Sequence, residues 1–441
     1  MDRRDFLRST TAAMAMGGLT AVDVRAETGV QTPVGTAREA EGRDKWIGAA
    51  ARALESSLVR QRRDFHIHPE LTWKEARTAQ VVAERLREIG LTDIKPDVAK
   101  YGVTATLRGG QPGVVVGVRA DMDALPITEL LDVPYKSKNA GVKHACGHDV
   151  HTTIGLGVAE VLHRMRDRIP GSVRFYFQPA EEGGRGAQAM VDAGALANPT
   201  PRALFALHVS PNHEVGQFGY ASGIAMAAAD RTVMTVKGRM SHGAQPENSI
   251  DSILVASQCI SALQAIRSRR ISTNTPLVVS FGSIHGGNMF NVIPAEVVLE
   301  GTIRTLNDDV REEVRRMMRQ TIEGVAQSFG ATAGIEFHEI ATVTYNEPKL
   351  VDESLPTLTR LHGADNVMSQ QAVMGAEDFS YMQKVVPGFY FNLGVRNKAK
   401  GIGHYPVHTP EFDVDEACLP VGVTAMASMV WDYLERHAGE A

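Results

Sequence analysis

"GVVVGVRADMDALP", residues 113–126, opens on a nearly continuous valine run and closes on two acids and a proline. An apolar run without alternation reads as a strand covered on both faces, the kind found inside parallel sheets. Asp121 and Asp123 fall where that strand ends. Working outward, strand and helix patterns alternate. "VTATLRG" (103–109) is a strand, "HTTIGLGVAEVLHRM" (151–165) a helix and "SVRFYFQPAEE" (172–182) a strand. "GAQAMVDAGAL" (186–196) is a helix ending near a glycine, and "ALFALHVSP" (203–211) a strand again. Upstream, residues 44–66 and 77–89 read as helices. The order predicts an α/β fold: a mixed, mostly parallel sheet flanked by helices. Polar residues gather just beyond the strands: Asp121 and Asp123, then Glu181 and Glu182, then His208. That end of an open α/β sheet is where ligands bind.

Near residue 225 the rhythm changes. "DRTVMTVKG" is a strand, 249–269 a helix, "PLVVSFGSIHGG" and "AEVVLEGTIRT" strands, 307–329 a helix, and "AGIEFHEIATV" a last strand. This β-α-β-β-α-β order predicts a ferredoxin-like unit of roughly 115 residues inserted into the α/β domain. The expected division is therefore 27–224 and 343–441 for a catalytic domain, with 225–342 between them.

The 441 residues are 43% hydrophobic and 22% charged, with a formal net charge of −5. No long basic run exists, so nucleic acid is not an expected partner. No stretch beyond the N-terminus approaches the roughly 20 apolar residues of a membrane span. The first 26 residues pair Arg3 and Arg4 with Phe6, Leu7, a weakly apolar stretch and small residues at Val24 and Ala26. They read as a twin-arginine export signal cleaved after Ala26, which implies the export machinery as a partner and a periplasmic or secreted protein. Of three cysteines, Cys259 and Cys418 sit in apolar helical patterns and read as core. Three sparse cysteines make a poor disulfide framework.

Cys146 differs, lying in "KHACGHDVHTT" (143–153) among glycine and polar residues. Cys146 and His148 form a C-x-H pair ahead of a helix, where a thiolate is favoured. Glu182, His208 and His408 are further candidates at strand ends or loops. A mixed sulfur, nitrogen and oxygen set suits Zn²⁺, with Mn²⁺, Co²⁺ or Ni²⁺ possible. Five candidates exceed the usual four of one structural zinc, so two metal ions about 3.5–4 Å apart would use them better. Glu181 and Glu182 could be a solvated surface pair. Placed between an apolar strand and "GGRG", alternation would instead turn one toward a metal and the other toward water. "GGRGAQA" is a loose dinucleotide-type match that does not open directly off a strand. "HEVGQ" and "HEIAT" lack the second histidine of a zincin, and no G-x-S-x-G elbow occurs.

Assembled, these residues resemble the metal-dependent aminoacylase and carboxypeptidase superfamily, and within it the amidohydrolase branch of hippurate hydrolase and the indoleacetyl–amino acid hydrolases. The marks run from about residue 47 to 436: "RRDFHIHPEL", "GVRADMDALPITE", "HACGHDVHTT", "QPAEEGG", "LHVSP", "NVIPAEV", "GTIRT", "GAEDFSYM" and "VHTPEFDVDEA". The resemblance implies two divalent metal ions on Cys146, His148, Glu182, His208 and His408, with Glu181 as general base. It implies orienting roles for Asp121 and Asp123, while His151 either supports the site or caps and packs its helix. It implies a homodimer through the inserted domain, with His242 reaching the partner's site to hold the developing oxyanion. Asn291 and Arg304 would bind the substrate carboxylate, although Arg304 also reads as a surface strand arginine. The reaction implied is hydrolysis of an N-acyl amino acid, a small-molecule substrate with an acetyl, benzoyl or indoleacetyl group. A dipeptidase or carboxypeptidase with the same machinery, and a binding protein on the same fold, are the alternatives. The chain departs from many relatives in Glu247, which replaces a second histidine in "HGAQPEN", and in Arg185 of "EEGGRG". Both are candidates for tuning the substrate.

Overall fold

The computed structural model describes residues 37–440, so the export-signal reading lies outside the described residues. The valine run forms strand Gln111–Asp121. It lies within a ten-stranded sheet whose main path runs Thr92–Val98, Gly102–Arg108, Pro170–Gln178, Gln111–Asp121, Ala203–Glu214, Gly388–Arg396, Thr344–Asn346, Gly223–Met226. Pairings from Pro170–Gln178 to Thr344–Asn346 are parallel, and those at both ends of the path antiparallel.

Side-chain alternation shows why helices cover both faces. Phe175, Phe177, Phe205, Phe389 and Phe391 enter one core with helices Glu55–Ile67, Ala76–Ile89, His148–His163 and Cys418–Arg436. Tyr176, Leu204, Ala206 and Tyr390 point the other way and meet Met190, Phe379 and Met382. Each strand is thus apolar at odd and even positions, as the sequence pattern requires of a doubly covered sheet.

Residues 228–341 form a second, four-stranded antiparallel sheet in the order Leu277–His285, Glu296–Thr305, Ala228–Lys237, Thr332–Ala341. Helices Ser252–Ala265 and Asp308–Ser328 complete the β-α-β-β-α-β order. This sheet has its own core of Met234, Val236, Leu263, Leu299, Met318 and Ile322, with Cys259 fully buried in it. Both helices start on side-chain caps: Asp251 accepts from the N–H of Ile253 and Leu254, and Asn307 from those of Asp309 and Val310. Such caps satisfy orphan donors at a helix start.

Three local expectations need correction. The helix read over 44–66 is two helices, Ala37–Ala53 and Glu55–Ile67, broken at Leu54. The one read over 249–269 ends in a π turn, Ile266–Arg270. A two-residue ribbon, Ser241–His242 against Val292–Ile293, had no strand signal because it is too short for periodicity. Among the described residues, no helix is long and apolar enough to cross a membrane.

One half-buried histidine outside the metal centre makes stability depend on pH. His362 ends helix Pro348–His362 and packs on Phe218, ring centroids 4.6 Å apart. Its Nε2 is buried without a hydrogen-bond partner, and burial pushes the ring down to about 4. The unfolded chain therefore binds this proton first as pH falls. The contribution is complete above about 6.5 and lost on the way down to about 4, on the order of 2–3 kcal/mol. Denaturant midpoints of the wild type and His362→Leu, measured at pH 5 and pH 7, should show a smaller pH difference in the variant. Equal differences would remove His362 as the cause.

Candidate metal centre

The carboxyl ends of three neighbouring strands deliver the site. Asp121 is the last residue of Gln111–Asp121, with Asp123 two residues on. Glu181 and Glu182 lie just past Pro170–Gln178. His208 lies within Ala203–Glu214 rather than after it, because that strand continues beyond its pairing with Gln111–Asp121. Cys146 and His148 stand at the start of helix His148–His163, where Gly147 takes a left-handed φ of 85°. His408 also has a left-handed backbone, φ 64°, and its N–H donates to the carbonyl of Ala145. That turn brings a residue from the far end of the chain beside Cys146.

All five candidate ligands meet. Cys146 Sγ is 3.2 Å from His208 Nε2 and 3.2 Å from His408 Nε2. His408 Nε2 is 3.3 Å from Glu182 Oε1, and His148 Nε2 is 3.9 Å from the same oxygen. They fall into two overlapping groups, Cys146–His148–His208 and Cys146–Glu182–His408, with donor atoms in each within 4.8 Å of one another. His148 Nε2 and Glu182 Oε1 are buried and take no hydrogen bond among the described residues. Orphaned buried polar atoms of this kind are costly unless something fills the space between them.

The electrostatics agree with a missing positive charge. Burial alone would lower His148, yet Asp121, Asp123 and Glu182 outweigh it and hold the ring at about 10. Burial, followed by Glu182 and Glu181, pushes the Cys146 thiol well up. Burial, with His151 next to it, pushes His208 down to about 3. Surplus carboxylate is thus balanced by a proton on His148. Divalent cations would balance it instead and release the thiol as thiolate. The donor set and the orphaned atoms fit such ions.

The residues read as supporting touch the candidate ligands or their backbone. Asp123 Oδ1 is 3.3 Å from His148 Nδ1, and its two oxygens accept the N–H groups of Glu181 and Glu182, each at 3.0 Å. Thr72 Oγ1 donates to the same carboxylate. Asp121 Oδ1 is 2.6 Å from His151 Nδ1, and His151 Nε2 accepts from the N–H of Val209. His151 thus clamps the end of strand Gln111–Asp121 to the middle of its neighbour Ala203–Glu214. Gly186 closes the glutamate loop: a Cβ there would lie 1.6 Å from the carbonyl oxygen of Pro179, so only glycine lets the chain pass.

Glu181 and Glu182 do diverge. Both stand 3.9 Å from His148 Nε2, but Glu182 also faces His408, while Glu181 joins Glu377 and Asp378 in a second carboxylate group. Burial, then Glu377 and Glu182, push the Glu181 carboxyl well up. Glu377, Asp378 and Arg119 are residues that the sequence reading quoted without a role. Arg119 is completely buried and reaches Asp121 at 2.6 Å, Glu377 at 2.8 Å and Asp378 at 3.4 Å. Its signal was available, since Arg119 and Asp121 are two residues apart on one face of the same buried strand.

Cys146, Glu181, Glu182, His208 and His408 open onto a cavity of about 990 Å³. Arg304 lines it too and makes no ion pair with any described residue; its nearest polar contact is Thr302 Oγ1 at 3.4 Å. His242 and Asn291 do not line it. They lie together on the short ribbon, where the N–H of Gly243 donates to the carbonyl of Asn291, and His242 is exposed. Glu247 is exposed as well, and Arg185 stacks over the Tyr381 ring at 5.1 Å instead of entering the cavity.

A model of peptidase family M20/M25/M40 matches residues 117–432. Thermostable carboxypeptidase 2 of Saccharolobus solfataricus is 38% identical over 377 residues, 85% of this chain and 94% of that protein. N-acetylcysteine deacetylase of Bacillus subtilis is 37% identical over 386 residues, 88% and 99% of the two chains. A solved Bacillus subtilis dinuclear metal-binding peptidase of the M20 family superposes with a TM-score of 0.74 at 34% identity. That match covers 87% of this chain and 99% of the other.

Proposed function

From a chain that belongs to peptidase family M20/M25/M40, and so is a metal-dependent hydrolase of amide bonds, we propose an enzyme that releases amino acids from N-acyl conjugates. The observation that carries this is Arg304, a half-buried guanidinium without a carboxylate partner on the wall of the cavity that Glu181 and Glu182 share. A desolvated arginine left unpaired is costly, and a substrate's free carboxylate would pair it bidentately. Cys146, His148, Glu182, His208 and His408 would hold two divalent ions. When bound, the ions supply Lewis-acid polarisation of the scissile carbonyl and a more acidic water.

Glu181 stands beside the ligands without repeating the role of Glu182. It takes a proton from the attacking water and returns it to the leaving nitrogen. Asp123 holds the backbone of both glutamates, so base and ligand stay in fixed relation. His242 is too exposed to act from its own ribbon. We place it in the site of a second copy, supported by exposed Met240, Met289 and Phe290 around the ribbon, the last 97% exposed. Asn291 beside it would help Arg304 at the substrate carboxylate. The twin-arginine reading adds export to the periplasm or beyond as part of the proposal.

The test is amino-acid release by the protein with Zn²⁺, Mn²⁺ or Co²⁺ restored, across N-acetyl, N-benzoyl and indoleacetyl amino acids and simple dipeptides. Turnover of acyl conjugates above dipeptides is the expected result. Preference for dipeptides would move the assignment to a dipeptidase or carboxypeptidase. Silence on every substrate with two metals bound would leave a binding role.

A further inference from the structure

Two polar side chains of the cavity lining, Asn392 and Gln370, with His213 behind them, take no part in the metal centre. Asn392 of strand Gly388–Arg396 pairs in register with His208 of the neighbouring strand, so their side chains stand side by side on one face of the sheet. Asn392 Nδ2 donates to Gln370 Oε1 at 2.9 Å. Gln370 Nε2 in turn lies 2.6 Å from Nε2 of the buried His213. The Gln370 amide rests directly on Gly219, where a Cβ would come within 2.5 Å of it, and the Gln370 backbone N–H donates to the carbonyl of Tyr220.

This relay has a direction. Burial, and Arg396 beside it, hold His213 below its ordinary value, so the ring is neutral and its Nε2 accepts the Gln370 amide proton. Gln370 then offers only its oxygen to Asn392, which spends an N–H on it. The Asn392 Oδ1 is left accepting from no described residue, and Asn392 and Gln370 both line the cavity. Apolar lining lies close by: Val373 is three residues from Gln370 and bonds to Ala225, with Ala221 and Met226 also lining the cavity. An acceptor fixed one strand from a candidate ligand, with apolar side chains lining the same cavity, is the arrangement that reads a single polar group.

We propose that Asn392, oriented by Gln370 and His213, is a specificity-determining acceptor that selects acyl groups carrying an N–H or O–H donor close to the scissile carbonyl. The inference rests on the acyl-conjugate reading: Arg304, on the four-stranded sheet, takes the carboxylate of the leaving amino acid, and the acyl group falls to the Asn392 wall.

The experiment compares acyl pairs of equal size on one amino acid. Glycolyl against propionyl exchanges a hydroxyl for a methyl. Methoxyacetyl against butyryl exchanges an ether oxygen, which only accepts, for a methylene. In the wild type, kcat/KM should favour glycolyl over propionyl by about tenfold, with methoxyacetyl no better than butyryl. The glycolyl ratio should fall below about twofold in Asn392→Leu. In Gln370→Met, which frees the Asn392 amide to turn, it should fall at least about threefold; this variant decides the matter should the first not fold. A wild type that does not separate glycolyl from propionyl, a ratio that survives both variants, or a preference for methoxyacetyl would each overturn the proposal. N-acetyl turnover in the wild type without the ratio sinks this inference alone. No turnover of any acyl amino acid sinks the function and this inference with it.

Discussion

Glu181→Gln should lower kcat by a factor of about 10²–10⁴ while KM and the bound metal change little. Glutamine keeps the shape of the side chain and an acceptor oxygen, but can neither take nor return a proton. Metal content should persist because Glu182 stays in place, 3.3 Å from His408 and 3.9 Å from His148, whereas Glu181 reaches His148 alone, also at 3.9 Å. The backbone of both residues stays fixed by Asp123. Metal-to-protein ratio and steady-state rates, measured on the same preparation, separate the outcomes. A rate loss together with metal loss would make Glu181 a ligand. An unchanged rate would move the proton transfer to Glu377, which shares a carboxylate group with it.

Much of this centre could be read before the chain was folded, and the reasons are local. A buried strand must end somewhere, and polar residues placed just past an apolar run have little to do but face a ligand. Asp121, Glu181 and Glu182 could be found this way, and Cys146 by its polar surroundings. His408 could not, since a left-handed turn after a loop leaves no periodic trace; only its motif resemblance singled it out. Arg119 has only its Asp121 contact legible in the sequence, because its other two carboxylate partners, Glu377 and Asp378, lie far along the chain. The structure buries it completely against three carboxylates. The β-α-β-β-α-β segment was legible from its alternation. The ribbon that carries His242 was not, because two-residue strands arise from tertiary packing alone.

Arg119→Met should cost about 3–5 kcal/mol of stability and most of the bound metal. Methionine fills a similar volume, so the loss would be electrostatic rather than a cavity. Burial by itself opposes charging this guanidinium, and Asp121, Glu377 and Asp378 together overcome it, holding it firmly cationic. The reverse holds for its partners: take the cation away, and three buried carboxylates face one another without compensation. Removing one member of a buried charge group is the costly kind of change, unlike replacing the whole group by apolar side chains. Asp121 would also lose the contact opposite His151, and the Asp121–His151–Val209 clamp would loosen at the point where His208 is delivered. Arg119→Lys keeps the charge but not the fork that reaches two elements at once, so it should fall between the two. The penalty should shrink as pH is lowered, because the abandoned carboxyls can then take up protons and become neutral. Denaturant midpoints at pH 7 and pH 5, at constant m, test all of this. A methionine variant as stable as the wild type at pH 7, with its metal intact, would show that the carboxylates hold their places without the arginine.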